Sequence, residues 1–227
     1  MIVYLHGFAS SPGSHKAQFF QRRFTALGAP LLLPELDGGD FTHMTLSSQL
    51  QVVEKTCAAR PPGAPLLLIG SSMGGYLATL HAAQHEVTAL VLLAPAVDFA
   101  ARWRERLGDA ELARWQRDGS IEVEHHALRR RVPLSYALMA DAERQPAWPQ
   151  VRAPVLVLHG RRDDVVPQAR VERWVAQTPG ARLVLLDTGH EMTDCMPQLA
   201  AEAQRFLAAI PAVAAAYPAL VSANIDL

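Results

Sequence analysis

Leu66-Leu67-Leu68-Ile69-Gly70-Ser71-Ser72-Met73-Gly74-Gly75-Tyr76-Leu77 is the stretch on which the reading of this chain turns. A continuous apolar run enters Gly70-x-Ser72-x-Gly74, and a helix-compatible segment leaves it. This is the context of a nucleophile elbow, a tight strand-to-helix turn with a serine at its apex. The reason for the glycines is steric. The residues two before and two after the serine crowd together, so only glycine fits at 70 and 74, and Ser72 Oγ is pushed clear of the sheet. A helix starting at Met73 points its positive dipole end at the same place, which favours a developing anion. Ser71 lacks glycines at both flanking positions and reads as structural.

Outward from the elbow, short apolar runs alternate with longer amphipathic stretches. The runs are Ile2–Leu5, Pro30–Leu33, Pro65–Ile69, Thr88–Leu93, Pro154–Leu158 and Arg182–Leu186. Continuously apolar and closed by Gly, Pro or Asp, they read as strands buried on both faces of a parallel sheet. Helices are expected at Ser14–Leu27, Thr45–Ala59, Met73–His85, Pro167–Gln177 and Pro197–Ala209, with Ser14 and Thr45 as N-caps and Gly28 as a C-cap. The alternation predicts an α/β fold with a mainly parallel sheet of about six strands and helices on both faces.

Residues 98–147 break the rhythm. They hold 18 of the 43 charged side chains, nine acidic and nine basic, together with Trp103 and Trp115. This segment reads as a helical cap inserted in a single domain spanning 1–227. Helices are expected at Phe99–Trp115 and Leu134–Glu143, and His125 and His126 are expected in solvent. Arg129-Arg130-Arg131 either lies on a solvated face or steers an anionic substrate.

A nucleophilic serine needs a base, and the base needs an orienting carboxylate. In this architecture the chain order is Ser, Asp/Glu, His, with each group just past a strand. Asp163, in His159-Gly160-Arg161-Arg162-Asp163-Asp164, and His190, in Asp187-Thr188-Gly189-His190, meet that condition with Ser72. Asp164 is adjacent to the favoured Asp163, and Asp98 is an outside alternative. Asp187 is expected to shape the turn carrying His190, and His159 to be structural. His81 and His85 have an i, i+4 spacing that suits a metal, but no third ligand is evident, so they read as surface histidines. The oxyanion hole requires two backbone donors. The expected ones are the N–H groups of Met73 and of Phe8, which follows His6-Gly7. His6 is expected to hold that loop by hydrogen bonds, and the Phe8 ring to line the substrate pocket.

Composition excludes other classes. Of 227 residues, 50% are hydrophobic and 19% charged, with 21 Lys+Arg against 22 Asp+Glu. There is no charge surplus to neutralise a nucleic acid backbone, and disorder is disfavoured. Cys57 and Cys195 form no metal or disulfide framework and read as reduced thiols. Met1–Leu5 lacks the features of a signal peptide, which points to the cytoplasm. The uncharged stretch 206–225 is interrupted by Pro211 and Pro218, and is expected to be a packed or frayed tail rather than a membrane span.

Tyr4-Leu5-His6-Gly7-Phe8-x-Ser10-Ser11-Pro12-x-Ser14-x-Lys16-Ala17, with the elbow, resembles the α/β-hydrolase superfamily, and within it the small bacterial YqiA/YcfP-type esterases. Leu33-Pro34-Glu35-Leu36, Ala94-Pro95-Ala96-Val97 and His159-Gly160-x-x-Asp163-Asp164-x-Val166-Pro167 fit the wider group. The insertion followed by that last motif is also similar to mitochondrial acyl-protein thioesterases. The resemblance covers nearly all of residues 1–210. It implies strand order 2-1-3-4-5-6, a start without the leading antiparallel strands of larger members, and esterase or thioesterase activity through Ser72, Asp163 and His190. No metal or organic cofactor is implied, and the partner is a small-molecule acyl ester or thioester. A peptide hydrolase or an acyltransferase would share the elbow. A non-catalytic binding module would be expected to lack one of the three residues.

Overall fold

Strand β1 (Ile2–Leu5) sits beside β3 (Leu67–Ser71) in parallel register, Ile2 opposite Leu67 and Leu5 opposite Gly70. This pairing brings the loop after β1 to the elbow after β3. The computed structural model describes residues 1–222. Between these strands lie α1 (His15–Ala26), β2 (Leu31–Leu32) and α2 (Leu46–Ala58). After β3 come α3 (Met73–Gln84), β4 (Ala89–Leu93), α4 (Phe99–Asp118), β5 (Ser120–His125), β6 (Arg130–Ser135) and α5 (Ala137–Ala142). The chain continues with β7 (Val155–Gly160), α6 (Gln168–Ala176), β8 (Ala181–Leu186), a 3₁₀ turn at Thr193–Cys195, α7 (Met196–Ala208), α8 (Pro211–Ala216) and α9 (Pro218–Ser222).

The main sheet has the order β2-β1-β3-β4-β7-β8 and is parallel throughout. With the β5–β6 hairpin set aside, this is the expected 2-1-3-4-5-6. Strand alternation divides the core into two layers. Val3, Leu5, Leu68, Leu90, Leu92, Val155 and Val157 face α2, α3, α6 and the insertion. Ile2, Tyr4, Ile69, Val91, Leu93, Leu156 and Leu158 face α1 and α7 to α9. Both faces are covered, which is why the strands read as unbroken apolar runs. The predicted N-caps operate: Ser14 accepts from Ala17 N–H, and Thr45 forms a reciprocal capping box with Ser48.

The insertion differs from its expected form. Its ends meet at the base, where Asp98 N–H donates to Ala147 O at 2.9 Å. Inside it, the segment read as linker and helix start is an antiparallel hairpin, with Ile121 opposite Leu134 and Val123 opposite Val132. Helix α5 begins only at Ala137. The period-two pattern Ile121-Glu122-Val123-Glu124-His125 carried this signal, and the charge content masked it. Helix α4 is broken at Gly108, whose φ of 72° leaves the helical region. Trp115 is fully buried, and its Nε1–H donates to Leu134 O at 2.9 Å, tying α4 to the hairpin.

Among the described residues no helix is long and apolar enough to cross a membrane. Pro211 and Pro218 each open a short helix, α8 and α9, with Val213 and Leu220 buried against the α1 and α7 side. The end of the stretch expected as a packed or frayed tail lies outside the described residues.

The elbow gives the first testable consequence. A Cβ on Gly70 would lie 2.5 Å from Gly74 O, and one on Gly74 would lie 2.5 Å from His6 O. Those are backbone atoms that cannot move aside. Gly74→Ala is expected to lose about 3 kcal/mol or more, at or beyond the upper end of ordinary overpacking. Gly13→Ala, whose Cβ meets only Ser11 Oγ at 3.5 Å, is expected to stay within about 0.5 kcal/mol. Paired urea titrations measure both, and equal midpoints would remove the steric account.

Candidate active site

Ser72 stands at the apex of the β3–α3 turn with φ 53° and ψ −116°, a strained conformation for a residue with a Cβ. Its backbone is held on both sides: Ser72 N–H donates to Leu93 O at 2.9 Å, and Ser72 O accepts from Ala96 N–H at 3.0 Å. Oγ is left to face the neighbouring loops. His190, on the loop after β8, places Nε2 3.0 Å from Ser72 Oγ. Its Nδ1 lies 2.8 Å from Asp163 Oδ2. Three groups from the ends of three strands, 118 and 27 residues apart along the chain, are thus joined in one line.

Asp163 is fully buried at its side chain. Burial opposes its charge, but the hydrogen bond and charge of His190 and the N–H groups of Val166 and Val165 outweigh it, so the carboxyl lies below its ordinary range. Val165 and Val166 donate to Oδ1 at 2.9 and 2.7 Å, which leaves Oδ2 for His190. The alternatives are placed elsewhere. Asp164 is exposed. Asp98 pairs with Arg170 at the start of α4. Asp187 is exposed and joined to Arg162, which also donates to its carbonyl at 2.9 Å, so it braces the turn before His190.

Of the two amides expected to face an oxyanion, one adjoins the serine in sequence and the other follows a glycine that packs against it. Met73 is the first residue of α3, where N–H groups have no partner within the helix. Phe8 follows Gly7, whose Cβ position would lie 3.5 Å from Ser72 Cβ. Among the described residues neither amide is used in a hydrogen bond of the fold. His6 holds this loop. Its Nδ1 lies 3.0 Å from Gly7 O, and its Nε2 accepts from Leu36 N–H at 3.3 Å.

The Phe8 ring packs against Phe41 at 5.5 Å and edge-on to Trp103 at 5.3 Å. Phe8 also lines a cavity of about 740 Å³ between α4 and the hairpin, with Trp103, Leu107, Ile121 and Val123 on its apolar side. Arg131 lines it too, but its guanidinium donates to Glu122 O at 2.7 Å and stands opposite Glu124. The hairpin face is therefore of mixed charge and is not a cationic patch.

Two expected surface histidines are buried. His125, 4% exposed, stacks edge-on to Phe41 at 4.5 Å and accepts from Leu128 N–H. The hairpin, absent from the sequence reading, turns it inward. His81 is also 4% exposed, because α3 is covered by sheet and helices on every side as far as that residue. His85 is exposed, as expected, and stacks on His81 at 4.5 Å. Among the described residues no three His, Cys, Asp or Glu side chains are placed to hold a metal ion. His159 is buried and acts structurally, with Nε2 3.1 Å from Val166 O.

The model of the family described as Uncharacterised protein family (UPF0227) matches residues 1–207. The chain belongs to this family. Its fold is that of the α/β-hydrolase superfamily. A protein of Agrobacterium vitis S4 superposes with TM-score 0.79 at 25% identity, covering 90% of this chain and 87% of that one. Est1E from Butyrivibrio proteoclasticus, with ferulic acid bound, gives TM-score 0.78 at 20% identity, covering 92% and 88%. Mouse alpha/beta hydrolase domain-containing protein 10 gives 0.76 at 21%, covering 90% and 88%. Among curated proteins none matches the sequence.

The buried imidazoles have a consequence for acid stability. Burial, aided by His85, lowers the His81 pKa to about 4. Burial also lowers those of His6 and His159. In the unfolded chain a histidine titrates near ~6.5. The unfolded state therefore binds more protons, and the stability present above ~6.5 is lost as pH falls toward 4. His81→Gln is expected to flatten this dependence. Urea titrations at several pH values between ~6.5 and ~4 measure the slope, and an unchanged slope would contradict the assignment.

Proposed function

We propose that this protein is a serine hydrolase of carboxylic esters or thioesters. The single observation that carries the reading is the line Ser72 Oγ, His190 Nε2, His190 Nδ1, Asp163 Oδ2, at 3.0 and 2.8 Å, with the serine on a strained elbow. The fold likeness and the family match support it.

In this reading Ser72 Oγ attacks the acyl carbonyl while His190 Nε2 takes its proton. Asp163 accepts from His190 Nδ1–H, fixing the tautomer and stabilising the imidazolium. Negative charge develops on the carbonyl oxygen, toward the Phe8 and Met73 N–H groups and the N-terminal end of α3. The carbon–oxygen or carbon–sulfur bond breaks as His190 returns the proton to the leaving alcohol or thiol. Water, deprotonated by the same imidazole, then resolves the acyl-enzyme. The insertion acts as a cap, and Phe8 joins oxyanion loop to substrate cavity. The apolar side of the cavity, with Phe8, Trp103, Leu107, Ile121 and Val123, suits a planar or apolar acyl group, in keeping with the ferulic acid bound to Est1E.

Ser72→Ala is expected to abolish both turnover of activated aryl esters and labelling by a fluorophosphonate probe. Undiminished turnover would overturn the assignment. Asp163→Asn is expected to lower kcat by about 10⁴, as in other serine triads, whereas Asp164→Asn changes it little. The reverse ranking would move the acid to Asp164. A panel of esters and thioesters graded by acyl length and charge measures the preference.

A further inference from the structure

The peptide group joining Val165 to Val166 is gripped at both ends. Its N–H, on Val166, donates to Asp163 Oδ1 at 2.7 Å. Its carbonyl, on Val165, accepts from Arg102 Nη2 at 2.8 Å. Arg102 belongs to α4, in the first turn of the insertion, and not to the sheet that carries Ser72, Asp163 and His190.

We propose that Arg102 is a positioning residue for the acid, acting through this one peptide. The inference rests on the triad reading above. A cation on the carbonyl polarises the peptide and makes its N–H a stronger donor to the carboxylate, since hydrogen bonds in series reinforce one another. It also fixes the turn that sets the direction of Oδ2 toward His190. Two further observations fit. Arg102 Nε is buried without a partner among the described residues, so the guanidinium gives up one hydrogen bond to hold this position. Burial pushes its pKa down to about 10, while the charge of Asp163 works against that fall, so it remains a cation at neutral pH.

A second clamp lies alongside. Arg170, on α6 just beyond the acid turn, pairs with Asp98 and Glu105 on either side of Arg102 in sequence. The first half of α4, before the break at Gly108, is thereby fastened to the acid turn. Trp103 and Leu107 of this same half line the cavity, together with the second half of α4 and the hairpin. Docking of the substrate-facing insertion is thus tied to the direction of the acid.

A double-mutant cycle tests this, with a small neutral aryl acetate as substrate and a fluorophosphonate for acylation rates. Arg102→Met is expected to lower kcat about 10-fold with KM changed less than about twofold, the pattern of a lost transition-state interaction. Arg102→Lys, which keeps a cationic donor, is expected to recover most of the loss. In the Asp163→Asn background Arg102→Met is expected to change the labelling rate by less than about twofold, because residues acting through one path are not additive. An equal loss in both backgrounds indicates a merely structural role and overturns the proposal, as does an unchanged kcat in Arg102→Met. Melting curves verify folding, and if Arg102→Met does not fold, Arg102→Gln decides on the same cycle. Intact turnover in Ser72→Ala or Asp163→Asn would overturn the triad reading and this proposal with it. Loss in those two with an unaffected Arg102 variant overturns this proposal alone.

Discussion

The close approach of the elbow to the end of β1 is the constraint on which the rest depends. Gly74 lies against the carbonyl groups of Leu5 and His6, and Gly70 against the backbone of Gly74 and Gly75. That contact lets the chain reverse from strand to helix within one residue and leaves Ser72 at φ 53°. Because β1 and β3 are hydrogen-bonded neighbours, the same approach brings the Gly7-Phe8 loop against the serine. Backbone strain at Ser72, of order 1–3 kcal/mol, is sustained by the hydrogen bonds to Leu93 and Ala96 and by the buried strands beneath.

The insertion is built by other means. Its base is closed between Asp98 and Ala147, and its interior is an aromatic stack running from Tyr76 through Phe99 and Trp103 to Trp115 and Tyr136. Its charges largely pair on the outside, Arg104 with Glu143, Arg114 with Glu111 and Arg117 with Asp118. Exposed pairs of this kind contribute little stability, so aromatic burial and the less exposed pairing of Arg170 with Asp98, not these outer pairs, hold the segment to the rest of the domain. Asp141 adds a polar anchor, accepting from Ser47 N–H and Oγ–H at the start of α2.

Strands buried on both faces announced themselves as apolar runs, and the glycines at 70 and 74 announced the turn, because each is a local demand on residue type. The hairpin at 120–135 did not. Its half-exposed strands alternate polar and apolar residues, and Pro133 and the arginines obscured that period. His125 and His81 were misread for a related reason. Burial of a polar side chain is decided by what packs over it, and neither Phe41 nor the layers around α3 adjoin these histidines in sequence.

By itself the sequence determined the fold class, the strand order through family resemblance, and which serine, which histidine and which adjacent pair of aspartates stand at strand ends. Those follow from local patterning: burial on two faces demands apolar runs, and a sharp turn demands glycine. Only the tertiary structure decided which carboxylate meets His190, since Asp163 and Asp164 are indistinguishable by spacing. Asp163 turns inward because the N–H groups of Val165 and Val166 converge on its Oδ1, leaving Oδ2 for the imidazole. The contact of Arg102 with that same turn was equally invisible, because 63 residues separate it from Val165 and folding alone brings them together.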